Sequence, residues 1–163
     1  MKILLLIRHA KSSWNDTSLR DIDRPLNARG KQDASDMGKR LKHKKITIDL
    51  FVASPAKRAK KTAILFMNEL GAKEDELVLI DELYEAHIEN YENVIKNLPD
   101  KKDTIALFAH NPGITDFINS LDVAPLPDIP TCGIYAIAVD TNHWSDFKNS
   151  KKDFLFFDYP KMP

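Results

Sequence analysis

A chain of 163 residues is the usual size of one folding unit, and with 43% of its residues apolar it can fill a core without a disulfide or a metal as a staple. Its 24 basic and 24 acidic residues cancel, so no net field draws it to nucleic acid or an anionic membrane, and recognition has to be local. A lone Cys132 excludes an internal disulfide, and no apolar run nears the roughly 18 residues of a membrane span; the expectation is one domain over residues 1–163, free in the cytoplasm.

The first element is the apolar run 3–7, "ILLLI", which predicts a strand and ends abruptly in Arg8-His9. After Asn27, the residues Ala34, Met37, Gly38 and Leu41 fall at i, i+3, i+4 and i+7 and predict an amphipathic helix. A second strand, 48–53, leads through "ASPAKRAKKTA" into a helix with Ala56, Ala59, Ala63, Phe66, Met67 and Leu70 in a similar rhythm. Further apolar runs follow at 77–80, 104–109, 133–139 and 154–157. Short, nearly continuous apolar runs suit strands buried on both faces, and their alternation with helices implies an α/β sandwich around a mostly parallel sheet. The three prolines of "DVAPLPDIP", 122–130, forbid regular structure before the fifth strand.

Open α/β sheets bind ligands at the carboxyl ends of their strands, so the residues after each run are read together. The first strand delivers Arg8-His9, the second "SPAKR" and the fourth "AHNPG". Ser54 with Pro55, and Asn111 with Pro112, have the chemistry of a helix cap followed by a first helical residue. Lys57, Lys60 and Lys61 read as a solvated face; Arg58, four residues past the cap, can reach back over the strand ends. Two histidines and at least two arginines on one sheet edge point to an oxyanion.

These segments resemble a known family. "LLLIRHAKSSWN", "PLNARGKQDA", "ASPAKRAKKTA" and "LFAHNPG" are similar, in order, to the signatures of the histidine phosphatase superfamily, which includes the cofactor-dependent phosphoglycerate mutases. The short chain and the Ala10-Lys11 after the histidine are most similar to its SixA-like phosphohistidine phosphatase branch. The resemblance implies a three-layer α/β/α sandwich of phosphoglycerate mutase type, His9 as nucleophile, and Arg8, Arg58 and His110 as phosphoryl-binding groups, with no metal and no cofactor. The chemistry agrees: neutral imidazole attacks phosphorus well, and guanidinium offers paired donors that stay charged.

Ser12 and Asn15 match polar positions of the opening motif, as phosphate donors or as turn residues. Trp14 reads as a packing residue under the loop, and Thr62 as packing or back-bonding within its helix. The family usually supplies an acid after the third strand; here "LIDELYEAHIENYENV" offers Glu85, with Glu82 as competitor, or an ordinary acidic loop. Short connections after Thr62 and Ile80 predict a shallow, open pocket, suited to a phosphorylated side chain on a protein. The expected activity is therefore removal of a phosphoryl group from phosphohistidine on a protein. The alternatives are a small phosphorylated substrate, as an ester phosphatase or mutase needing Glu85, and a phosphate-binding module without turnover. Neither nucleic acid nor membrane is an expected partner.

Overall fold

The computed structural model describes residues 1–162. Strand β1 (Lys2–Arg8) leads to helix α1 (Ala28–His43), β2 (Leu50–Ala53), α2 (Lys57–Leu70), β3 (Val78–Leu79), α3 (Ile88–Lys96), β4 (Thr104–Ala109), α4 (Gly113–Ser120), β5 (Ile134–Val139) and β6 (Lys152–Asp158). The sheet order is β3-β2-β4-β1-β5-β6. The pairings β1–β4, β2–β4 and β2–β3 are parallel, while β5 runs antiparallel to both β1 and β6.

The continuous apolar runs have a simple cause: successive side chains of a strand point to opposite faces. Leu4 and Leu6 join Val52, Ile105, Leu107 and Tyr135 in one core, closed by α3, α4 and the 3-10 segment Trp144–Asn149. Leu5 and Ile7 join Phe51, Ala106, Phe108 and Ile134 in the other, closed by α1 and α2. Three layers result, as the sequence resemblance implies. The edges depart from burial on both faces: Val78 and Leu79 of β3, and Phe154 and Leu155 of β6, are exposed.

Helix α1 begins where its signals place it, with the Asn27 side chain accepting from the Gly30 N–H at 2.8 Å. Gly30 has a second task. A Cβ there would stand 2.1 Å from the Lys11 carbonyl oxygen and 2.9 Å from the Lys11 nitrogen, backbone atoms that cannot swing aside. The glycine thus lets α1 press against the segment that follows His9. Gly30→Ala should destabilise by about 1–3 kcal/mol, the usual cost of overpacking, and lower the melting temperature by several degrees; an unchanged melting temperature would show that this contact yields freely.

Candidate active site

Because β4 returns between β2 and β1, the ends that carry Ser54, His110 and His9 are neighbours, about 4.8 Å apart by strand spacing. The His9 N–H donates to the Ala109 carbonyl at 3.0 Å, and the Ser54 N–H to the Phe108 carbonyl at 3.0 Å. The two imidazole rings lie 5.2 Å apart between centroids.

His9 is buried, and its Nδ1 sits 2.7 Å from the Ala10 carbonyl oxygen. A carbonyl only accepts, so Nδ1 carries the proton and the lone pair is on Nε2. The surrounding backbone is clamped from two sides. The Ala10 N–H donates to Thr62 Oγ1 at 3.0 Å, while the Thr62 hydroxyl donates to the Arg58 carbonyl at 2.7 Å. On the other side the Cys132 N–H lies 3.1 Å from the carbonyl oxygens of both Arg8 and His9.

Neither proposed helix cap behaves as its sequence suggests. Helix α2 starts at Lys57 with Ala56 as its cap. Ser54 Oγ accepts from the Ala56 N–H at 3.2 Å and lies 2.8 Å from His110 Nε2. With one proton and two lone pairs, the Ser54 hydroxyl can donate to Nε2 or accept from it, so this contact anchors the His110 ring without fixing which nitrogen carries its proton. Asn111 does not cap α4 either; its side chain accepts from the Thr115 hydroxyl at 2.6 Å and donates to Asp128 at 2.5 Å. Ser54 thus divides itself between a local N–H and His110, and Asn111 between the Thr115 hydroxyl and Asp128.

The arginines are anchored by one end only. Arg8 Nη1 donates to the Ile129 carbonyl at 2.9 Å, with Asp128 at 3.8 Å. Arg58 Nη1 and Nη2 donate to the Asp21 carbonyl at 2.7 Å and to Asp21 Oδ2 at 2.9 Å. Among the described residues, the buried side-chain polar atoms without a partner are Arg8 Nε, Arg58 Nε and His110 Nδ1. All three residues line the cavity that His9 lines, a space of about 700 Å³. Orphaned buried donors are costly in a folded protein unless a ligand satisfies them.

The other expected residues divide. Glu85 lines the same cavity and has a left-handed backbone, φ 54°, which a non-glycine residue adopts at a cost. Glu82 lies elsewhere, accepting from Asn93 Nδ2 at 2.8 Å and Asn90 Nδ2 at 3.2 Å beside the β2–β3 edge. Ser12 lines the cavity, but its hydroxyl accepts from Arg24 Nη1 at 2.7 Å. Asn15 is exposed and off the cavity wall, its N–H donating to Ser13 Oγ at 3.2 Å, so the turn alternative describes it.

Sequence reasoning missed a third guanidinium and its counter-charge. Arg24 is buried against the cavity, over the Trp14 ring at 3.6 Å. Trp14 itself is 71% exposed, which corrects its expected burial. Asp21 accepts from Tyr84 Oη at 2.6 Å and from Arg24 at 3.3 Å, besides Arg58. A carboxylate beside two guanidinium groups offsets part of the positive charge gathered here. Arg24 directly precedes "PLN", and that adjacency was its only signal. The segment between β1 and α1 builds this wall, and Tyr84–His87, after Ile80, line the cavity as well.

Burial, more than the nearby arginines, pushes the His9 pKa down to about 4; the cations add to it. Burial and then His9 push His110 down to about 3. Asp21 is held at about 2, chiefly by the Tyr84 hydroxyl and with help from Arg58, and Tyr84 rises to about 12 through burial and this carboxylate. Both imidazoles are therefore neutral at ordinary pH. Unfolded, they would protonate near 6.5, so between about 6.5 and 4 the unfolded chain binds more protons and stability falls as pH falls. In phosphate-free buffer the urea midpoint should drop across that window by the equivalent of a few kcal/mol. A midpoint flat from pH 6.5 to 4.5 would show that the rings are not held neutral.

A family model described as the histidine phosphatase superfamily (branch 1) matches residues 4–117, which include Arg8, His9, Arg58 and His110. The chain belongs to the histidine phosphatase superfamily. This superfamily member is 30% identical over 152 residues to an uncharacterized chloroplastic protein of Arabidopsis thaliana, covering 88% of this chain and 69% of that one. It is 31% identical over 130 residues to phosphoglycerate mutase 1 of Saccharomyces cerevisiae, 78% of this chain but 50% of the mutase, so it spans about half the length of that relative. In fold it is SixA-like: a solved protein histidine phosphatase SixA, complexed with tungstate, superposes with a TM-score of 0.82 at 19% identity over 97% of each chain.

Proposed function

We propose that this histidine phosphatase hydrolyses phosphohistidine on a protein partner through a phosphoryl adduct on His9. The observation that carries the reading is the gathering of Arg8, Arg58 and His110 around one cavity with His9, whose Nδ1 proton is held by the Ala10 carbonyl. A phosphoryl group bound in that cavity would meet these cations and the imidazole, whose charge would follow its equatorial oxygens into the transition state, where each well-placed donor is worth a few kcal/mol.

Nε2 of His9 attacks phosphorus as the bond to the leaving nitrogen breaks, and the charge gained by the His9 ring is stabilised through Nδ1–H on the Ala10 carbonyl. When the leaving group is an imidazole already protonated on its other nitrogen, it departs neutral and needs no acid. Water then attacks the phosphorus of the adduct, breaks its bond to Nε2 and leaves dihydrogen phosphate and neutral His9. Arg24, which shares the wall with Ser12, adds positive potential. The SixA structure, named a protein histidine phosphatase and complexed with tungstate, supports this substrate class by similarity of fold.

One observation favours a second reading. Glu85, on strained backbone in the cavity, has the position to protonate an alkoxide leaving group of a small phosphate ester. Glu85→Gln separates the two. Under the first reading phosphohistidine hydrolysis changes less than about three-fold, whereas alkyl ester hydrolysis falls by about 10² or more. Parallel steady-state assays decide; an equal loss on both substrates would mean that Glu85 is required in every turnover and would favour the ester enzyme.

A further inference from the structure

Five lysines crowd one rim of the cavity. Lys11 lines it directly, and Lys31, Lys57, Lys60 and Lys61 line an adjoining groove of about 360 Å³ floored by Pro25, Leu26 and Ile64. Groove and cavity meet through consecutive residues, at Arg24-Pro25 and again at Lys57-Arg58. All five lysines are exposed, and none of them forms an ion pair among the described residues. Of the nearby carboxylates, Asp21 is engaged with Arg58 and Asp33 with Arg29 at 3.0 Å, while Glu85 and Asp116 also line the cavity and Asp128 stands beside Arg8.

A chain with 24 charges of each sign could disperse them. Placing Lys57 against Lys60 and Lys61, at i+3 and i+4 on one helix, sets like charges side by side, which weakens a helix and has no return in the free protein. Trp14 adds an apolar anchor on the same wall. Its exposed ring is held flat against Arg24, so little freedom is left to lose on contact, and tryptophan and arginine are the residue types that dominate binding energy.

Taking the phosphohistidine reading as its basis, we propose that the lysine groove and Trp14 form a docking surface on which a partner lays an acidic segment next to its phosphohistidine. The cavity reads the phosphoryl group, while the rim selects the protein that carries it.

Three synthetic peptides of equal length, each with a central phosphohistidine and flanks of glutamate, serine or lysine, test this. kcat/KM should rank glutamate above serine above lysine, with about ten-fold between the first two at low salt and less at high salt. In the double variant Lys57→Glu with Lys61→Glu the ranking should invert through KM, while turnover of a small aryl phosphate stays within about two-fold. Titration of unphosphorylated glutamate peptide, followed by the fluorescence of Trp14 against the buried Trp144, gives binding without chemistry. Flank-dependent binding that the double variant abolishes, with no phosphohistidine turnover, would sink the substrate reading and leave the docking surface standing. Equal kcat/KM for all flanks, indifference to charge reversal, or tighter binding of a single-stranded RNA than of the acidic peptide would overturn the proposal.

Discussion

Replacing His9 by asparagine should abolish the covalent phosphoryl adduct and lower turnover by about 10⁴-fold or more. Asparagine keeps a polar side chain of similar reach but has no lone pair basic enough to attack phosphorus. The measurement is an acid-labile mass increment of one phosphoryl group after incubation with phosphoramidate or an aryl phosphate, mapped to the peptide around residue 9. His110 is the obvious rival, since its ring lies 5.2 Å away and its Nδ1 has no partner. The hydrogen bonds distinguish the two rings: the Ala10 carbonyl keeps the His9 proton on Nδ1 and leaves the Nε2 lone pair free, whereas Nε2 of His110 is engaged by Ser54. An adduct mapped to the His110 peptide, or one that survives in His9→Asn, would reverse these roles. No adduct with intact phosphate binding would favour the binding module.

The second large effect is expected at Arg58. Lysine in its place keeps one charge but loses the fork that holds Asp21 with Nη1 and Nη2 at the cavity wall. kcat/KM should fall by about 10²- to 10³-fold, the usual loss for one donor aimed at developing charge. Asp21 would then keep only Tyr84 and Arg24, and because it would remain a carboxylate beside the site, inhibition by inorganic phosphate or tungstate should weaken in parallel with kcat/KM. A variant that retained activity and tungstate inhibition would mean that Arg58 serves only to clamp the 3-10 turn Asp21–Asp23.

Much of the scaffold can be read from residues alone because its signals are local. The doubly buried strands show in the run "ILLLI", whose alternate members supply two separate cores, and α1 shows in a four-residue rhythm started by Asn27. His9, Arg8, Arg58 and His110 are legible because short motifs place them at strand ends, and the sheet order makes three of those ends adjacent. The readings that failed concern side chains with two suitors. Ser54 and Asn111 have capping chemistry, but His110, Thr115 and Asp128 are closer partners than the helix N–H groups. Trp14 reads as a packing residue under the loop, yet the Arg24 guanidinium at 3.6 Å is sufficient company for its ring at the surface. Glu85 and Glu82 cannot be ranked by spacing, since only the backbone turn at φ 54° sends one to the cavity and leaves the other to Asn93.

By itself, then, the amino-acid order determined a layered α/β chain whose strand ends bring imidazole and guanidinium to one edge, since hydrophobic period and motif spacing act over a few residues. Only the tertiary structure decided which of those groups are satisfied and which are left wanting. Arg24, Asp21 and Tyr84 enter the site from segments far apart in the chain, and a hydrogen bond depends on atoms within about 3 Å, a distance that sequence separation does not encode.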